Sequence, residues 1–396
     1  DHSRDLITSL IAMDKFDISV MDQRWGICPR TGLSPDSEIA KLLLPQGKPL
    51  SVQPDIWMQV TVPNEFQPIG KFNIGITAGI ETDRVSLSWL QGMNKMDINI
   101  VPSHHSKIIF EQTNYQEKDQ DGNVIRVVKS EKPIHVLFEG LDLSIFDKSD
   151  TVTFDGIDNI PESFCYLTVG HWLQGSNTHD RKDIGGTIQT FIHTFKGKGT
   201  KPALILKTSS AGFSVTDREG MLHRIREVRN TCNVPLDNQP NIYLLHGDLT
   251  PEEMNGLYNH RKVKAMLSLT HGEGFGRPLL EFSVTGKPTV ATNWSGHVDF
   301  LGNYTFKIPG NLKQVDRSVV QKDIIEAEAS WFYADYAYAS KVIKDIYKKY
   351  KSFLAISRKQ RKFVKDNFSL DAMTEEFTRL IDDEVLKNIP EPVKLK

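Results

Sequence analysis

Two glutamates, Glu273 and Glu281, stand eight residues apart with GFGRPLL between them. Ahead of them, residues 265–269 form an apolar run of strand composition that breaks at Thr270-His271-Gly272. Behind them, Leu279, Leu280, Phe282 and Val284 lie at helical spacing, and a second strand, 289–291, follows Gly286-Lys287-Pro288. The order is strand, glycine loop, helix, strand. Pro278 suits the first turn of that helix, where no backbone N–H is needed. The helix N-terminus points unpaired N–H groups and a positive dipole end into the loop. Such a terminus binds anions, typically phosphate. Gly274 and Gly276 let a ligand approach the backbone closely. A carboxylate facing a diphosphate would be repelled, so the two glutamates are assigned to hydroxyls. Glu281 suits the paired hydroxyls of a ribose, and Glu273 those of a transferred sugar.

Other segments supply possible partners. Arg181 and Lys182 open a helix that runs to residue 195. Opposite the Glu273 loop they would form a phosphate clamp; the alternative is a solvated helix start. Ser295 and Gly296 follow the 289–291 strand and could meet phosphate or form a plain turn. Asp119, Asp121 and Asn123 hint at a calcium loop, but Gly122 falls in the fourth place rather than the sixth. Asp121-Gly122 is a hairpin turn signal, so 113–133 is read as an inserted hairpin. His104-His105 reads as polarity at a helix start, and no metal site is expected.

The elements needed to place these groups follow from the rest of the chain. Its 396 residues, 39% hydrophobic and 25% charged, suit two or three domains of ordinary size. A formal net charge of −2 gives no overall pull toward nucleic acid or membrane. Cys28, Cys165 and Cys232 are scattered and odd in number, so no disulfide framework or zinc motif is readable, and a reducing cytoplasm is expected. No apolar run reaches membrane-spanning length.

Strands are expected at 17–22, 56–62, 72–77, 98–101 and 134–138, with helices at 36–44 and 83–91 and another capped by Ser103. A polar stretch, 147–163, leads to strands at 164–169, 203–207 and 242–245 and a polar outer helix, 217–229. The alternation argues an α/β chain with doubly wound parallel sheets. Residues 315–396 read as helical, including the aromatic run 331–338 and a basic stretch, 348–365, with Phe353, Leu354, Ile356 and Phe363 as its apolar stripe. The division is 1–145, 146–350 and 351–396.

The E-x7-E spacing of Glu273 and Glu281 resembles the signature of retaining GT-B glycosyltransferases of the group 1, or family 4, type. The flanks agree. IYLLHGDLTPEEMNGLYNHRKVKA is similar to the family's strand, acidic turn and Leu-Tyr helix, and GKPTVA to its G-x-P-V-V-A strand. Glu139-Gly140-Leu141-Asp142 resembles the N-G-V-D hinge, with glutamate in place of asparagine. The likeness spans most of 160–300. It implies two Rossmann-like domains with parallel sheets facing across a cleft, and a C-terminal helix crossing back to the first. It implies a nucleoside-diphosphate sugar on the second domain, an acceptor on the first, transfer with retention, and no cofactor or metal.

The implied catalytic set is Glu273, Lys182, Arg181 and Glu81. Glu81 is included because no histidine follows strand 72–77, where the family often has one. The implied donor-binding set is His171, Gly274, Phe275, Gly276, Arg277, Glu281, Ser295 and Gly296, with His171 standing where an arginine is usual. The family opens with a strand and glycine loop; this chain opens on an amphipathic helix, so a preceding strand is expected to be missing. HWLQG, THGEGFGRP and NWSGHVDF resemble glycosyltransferases of large tailed phages, some of which decorate 5-hydroxymethylcytosine. Modified duplex DNA is therefore the expected acceptor, in a host cytoplasm, by a monomer or homodimer. A glycan, a lipid-linked glycan or a protein side chain stays open as acceptor. So do two other classes: a non-catalytic nucleotide-sugar binder and a DNA-binding scaffold.

Overall fold

Short apolar segments flanked by turns build two parallel sheets. The computed structural model describes residues 2–23, 33–45, 47, 50–149, 154–175, 178–210 and 212–389. Cys28 and part of the 147–163 stretch lie outside them; Cys165 and Cys232 are buried and free.

The first domain contains α1 (His2–Met13), α2 (Glu38–Lys41), β1 (Ile56–Val60), β2 (Phe72–Ile76), α3 (Leu87–Met93), β3 (Ile98–Val101), α4 (His104–Gln112), β4 (Asn114–Lys118), β5 (Val124–Lys129) and β6 (Ile134–Val136). Its sheet has the order β1-β2-β3-β6, all parallel. Strands covered on both faces can be apolar throughout, and β2 and β3 are buried along their whole length. Ser103 caps α4 by accepting the Ser106 N–H. The 113–133 insertion is the expected hairpin, β4 against β5. Asp119 closes its turn by accepting the backbone N–H groups of Asp121 and Asn123.

The second domain contains α5 (Asp155–Asp158), β7 (Cys165–Val169), α6 (Ile184–Phe195), β8 (Ala203–Lys207), α7 (Val215–Thr231), β9 (Ile242–Leu245), α8 (Pro251–Asn259), β10 (Val263–Ser268), α9 (Arg277–Ser283), β11 (Thr289–Thr292), α10 (Val298–Leu301) and β12 (Phe306–Ile308). The strand order is β12-β11-β10-β7-β8-β9. The chain reverses its direction of travel across the sheet between β7 and β10. That is the switch point of a Rossmann-like sheet, where the strand ends leave a crevice.

Three expectations need correction. Residues 17–22 make only a bridge, Val20 with Leu43, because the segment is largely exposed and meets no sheet edge. The 36–44 helix shrinks to the single turn of α2. The 315–396 region is not all helical: β13 (Gly310–Gln314) pairs antiparallel with β14 (Ser330–Ala334). The aromatic run supplies β14, whose Trp331 and Phe332 are buried, as suits ring side chains on a pleated surface. This ribbon also reaches the first domain. Asp83 and Ser330 exchange hydrogen bonds of 2.9 and 2.6 Å, and the Ser88 hydroxyl donates to Asp323.

Three helices close the chain: α11 (Tyr336–Lys348), α12 (Tyr350–Asn367) and α13 (Leu370–Leu380). The basic helix α12 packs on the second domain through Phe353, Phe363 and Val364, and its Arg361 and Lys365 both bind Asp147. The crossing back to the first domain falls to α13, whose Met373, Phe377 and Leu380 join Leu6, Ile74 and Ile76. At the crossing, Leu141 N–H donates to Phe368 and Leu370 N–H donates back to Leu141. Phe377→Ala is expected to cost the first domain about 3–5 kcal/mol, whereas Glu375→Ala, on the exposed face of α13, stays within about 0.5 kcal/mol of wild type. Urea unfolding followed by circular dichroism measures both.

Candidate active site

The switch point places two loops side by side. β10 runs out into Leu269-Thr270-His271-Gly272-Glu273, and β7 into Gly170-His171 and then the 178–183 segment. His271 N–H donates to the Arg181 carbonyl at 2.9 Å and joins the loops. Asp180 and Asp183 turn inward and accept the N–H groups of Ile184 and Gly186, capping α6. Arg181 and Lys182, between them, turn to the cleft. The Lys182 stem lies along Gly170, where a β-carbon would come within 3.2 Å of it. Its Nζ donates to both oxygens of Glu273 at 2.6 Å. Arg181 stands 3.0 Å from Glu81, on the first domain, and 3.6 Å from Glu273. All four residues expected to be catalytic therefore meet, drawn from three segments and both domains.

The cluster holds two cations and two carboxylates. Burial pushes the Glu273 carboxyl up, but the Lys182 ammonium and Arg181 guanidinium outweigh it and hold it below the usual carboxylate range. Burial, aided by Arg181, pulls the Lys182 ammonium below its ordinary value despite Glu273. The downward shift of Glu273 keeps it a carboxylate at neutral pH, and two bonds of this length from one Nζ to its two oxygens are the strong, charge-assisted kind. His171 sits at the rim with Nδ1 3.2 Å from Ser209 Oγ and 3.1 Å from the Ser210 carbonyl. Burial and then the nearby cations lower it, so it offers hydrogen bonding rather than charge.

The glycine loop differs from expectation. A β-carbon on Gly272 or Gly274 would lie 2.1 Å from the carbonyl oxygens of Glu81 and Ala78, respectively. These glycines let two backbones meet across the cleft, and Ser103 Oγ donates to the Gly274 carbonyl there at 2.7 Å. Ser295 and Gly296 are committed to Glu273 itself: Glu273 N–H donates to Ser295 Oγ, and Gly296 N–H donates to the Glu273 carbonyl, each at 2.9 Å. Gly276 has φ 97° and leads into α9, with Pro278 in the first turn as expected. Phe275, expected in the donor-binding set, has its ring buried against Phe300 in the core.

Arg277 is a second correction. It is expected in the donor-binding set, yet its guanidinium lies 2.5 Å from Asp5, 3.2 Å from Glu281 and 3.8 Å from Glu139. It ties α9 to α1 and to the hinge, and Glu139, unusual in a hinge of this form, is one of its partners. Glu281 also accepts the Tyr258 hydroxyl at 2.9 Å. Burial lifts Glu281 to about 7, against the pull of Arg277 and Tyr258. Glu139 is likewise raised by burial, against Arg277.

Some cleft residues escaped the sequence reading. His105 packs edge-on to Trp294 at 4.6 Å, across the domain boundary, with its Nε2 buried and unpartnered. Burial lowers it to about 4. A histidine does stand after a first-domain strand, but after β3 rather than β2; its position at a strand's carboxyl end was the available signal. His297 is buried beside Glu273; its Nε2–H donates to the Thr292 carbonyl at 2.7 Å, and its Nδ1 lies 3.5 Å from the Ser295 hydroxyl. Among the described residues no group of three or more His, Cys, Asp or Glu could hold a metal ion, and no helix is long and apolar enough to cross a membrane.

The solved structures similar to this chain include the following three. One is a glycosyltransferase from Rickettsia africae, with TM-score 0.52, 18% identity, and coverage of 80% of this chain and 71% of that one. A second is HepE from Anabaena in complex with UDP and glucose, with TM-score 0.53, 11% identity, and coverage of 78% and 71%. A third is sucrose-phosphate synthase from Thermosynechococcus elongatus, with TM-score 0.54, 13% identity, and coverage of 80% and 68%. No protein-family model matches the chain, and no curated protein matches it. At these identities the likeness is one of fold: two Rossmann-like domains in the GT-B arrangement.

Two outcomes follow from this geometry. Gly274→Ala drives a β-carbon into the Ala78 carbonyl and holds the domains apart, which small-angle scattering reads as a larger radius of gyration than wild type. Glu281 has a folded-state pKa near 7 against an ordinary 4.5, so folding favours its protonated form. Its stabilisation is complete below pH 4.5 and lost as pH rises through 7. Relative to Glu281→Gln, the wild type should lose about 3 kcal/mol between pH 4.5 and 8, measured by urea unfolding at each pH.

Proposed function

We propose that this chain is a glycosyltransferase that moves a sugar from a nucleoside-diphosphate sugar to an acceptor hydroxyl with retention of anomeric configuration. The observation that carries the reading is the Lys182–Glu273–Arg181–Glu81 cluster at the switch point of the second sheet. Without a ligand, the two cations are neutralised by two carboxylates. A diphosphate is the better partner for an ammonium and a guanidinium held side by side. Its arrival exchanges partners: Lys182 and Arg181 pass to the phosphates, and Glu273 and Glu81 are released. Glu273 then accepts hydroxyls of the sugar, Glu281 accepts the ribose hydroxyls, and Glu81 faces the acceptor from the first domain.

Sugar transfer develops positive charge on the sugar and negative charge on the departing diphosphate. Lys182 and Arg181 stabilise that negative charge where it forms, the kind of contribution that is usually largest. In this reading they supply the charge a divalent ion would otherwise bring. Two further supports are the GT-B fold and the complex of the similar HepE structure with UDP and glucose. Retention rests on the sequence resemblance. So does the acceptor we propose, 5-hydroxymethylcytosine in duplex DNA.

The test is a panel of uridine, guanosine, adenosine and cytidine diphosphate sugars, with hydroxymethylated duplex DNA in half the wells and release of nucleoside diphosphate as readout. Turnover is expected with one donor base, and Lys182→Ala should lower it about 10²–10³-fold. Turnover that requires the modified DNA identifies the acceptor. Donor binding with no turnover under any condition makes the chain a non-catalytic binder, and no donor binding at all removes the donor-site assignment.

A further inference from the structure

The 178–183 segment that carries Arg181 and Lys182 is neither helix nor strand, so its shape needs another cause. His271 provides one. Its ring is fully buried, stacked on Trp331 at 4.9 Å and against Tyr333 at 4.3 Å. Nδ1 lies 2.8 Å from the Phe332 carbonyl and Nε2 lies 3.1 Å from the Thr178 carbonyl. Both neighbours are carbonyl oxygens and can only accept. A neutral ring carries one N–H, and its bare nitrogen would then face an oxygen lone pair at hydrogen-bond distance. Only a ring with a proton on each nitrogen satisfies both contacts.

The counter-charge is at hand. Asp183 Oδ1 lies 4.0 Å from Nε2, and both residues are fully buried. The Asp183 carboxylate accepts the Tyr336 hydroxyl at 2.7 Å and the Gly186 N–H at 3.1 Å. The other titratable groups around the ring are His179 and Asp180 on the same segment, Tyr333 on β14 and Tyr336 on α11. Burial outweighs the two carbonyl bonds and pulls the ring down to about 4, and burial with the neighbouring Asp180 lifts Asp183. What favours the doubly protonated ring is the geometry: two acceptor-only neighbours at 2.8 and 3.1 Å and a carboxylate oxygen at 4.0 Å, in a dry region where attraction is little screened.

We propose that His271 is a positioning residue: as an imidazolium paired with Asp183, it ties the 178–183 segment to β14 and thereby fixes Arg181 and Lys182 where they meet an anion. The main chain supports the same tie, since His271 N–H donates to Arg181 and Phe332 N–H donates to His271. Because β14 also bonds Asp83 of the first domain, the tie sets the cations against the first domain as well. The proposal rests on the reading of Arg181 and Lys182 as an anion site, not on sugar transfer.

The first test needs no substitution. Wild-type protein with ¹⁵N-labelled histidine at pH 8.5 should show one ring bearing protons on both nitrogens, protected from exchange. A spectrum in which every ring has a bare nitrogen overturns the proposal. The second test is calorimetric titration with inorganic pyrophosphate. In His271→Gln, the doubly protonated ring signal should vanish and the pyrophosphate Kd should rise about tenfold. A variant that binds pyrophosphate as tightly as wild type overturns the positioning role. If wild type binds pyrophosphate but turns over no nucleotide sugar, the enzymatic reading fails and this one stands.

Discussion

An ammonium and a carboxylate 2.6 Å apart and out of water are tolerable only if every remaining hydrogen-bonding position around them is used. Groups from both domains supply part of that demand around the Lys182–Glu273 pair. Arg181 and Glu81 close the charge balance, and the Glu273 backbone is held at its N–H by Ser295 and at its carbonyl by Gly296. Much of the surrounding architecture follows from this. The glycines at 272, 274 and 296 are needed because three stretches of main chain converge on one glutamate, and any side chain there would overlap a carbonyl oxygen.

Arg277, Glu281, Glu139 and Asp5 form a second charged set, with three carboxylates around one guanidinium. Burial first, and then the neighbouring carboxylates, explain the raised Glu281 and Glu139. It also means that the residue assigned to a ribose is the residue that helps bind α9 to α1. A ligand that takes Glu281 from Arg277 alters an interdomain contact in the same step.

Both sheets, the central strand–loop–helix–strand, the Ser103 cap and the inserted hairpin were legible in the sequence, because each rests on local pattern and turn chemistry. The four residues of the charged cluster were legible too, since strand ends at a switch point are where such groups gather. What failed was decided by distant partners. The aromatic run at 331–338 has no period that separates strand from helix, and its mate, β13, lies some twenty residues earlier. Phe275 between two glycines looks exposed, yet its ring points into the core. Arg277 looks like a free cation until Asp5, more than 270 positions away, is placed beside it. His105 was read as capping polarity, and nothing local reveals that Trp294 faces it.

The two passages of chain between the domains, at Leu141 and at Ser369, run side by side and share main-chain hydrogen bonds. Two separate tethers would leave one body free to tilt and slide relative to the other. Two tethers fused along a line leave mainly rotation about that line, as in a door rather than a ball joint. An opened cleft therefore searches one angle to recover its closed register, and the entropy lost on closing is correspondingly small. Main-chain contacts as close as those at Gly272 and Gly274 can then re-form without a long search.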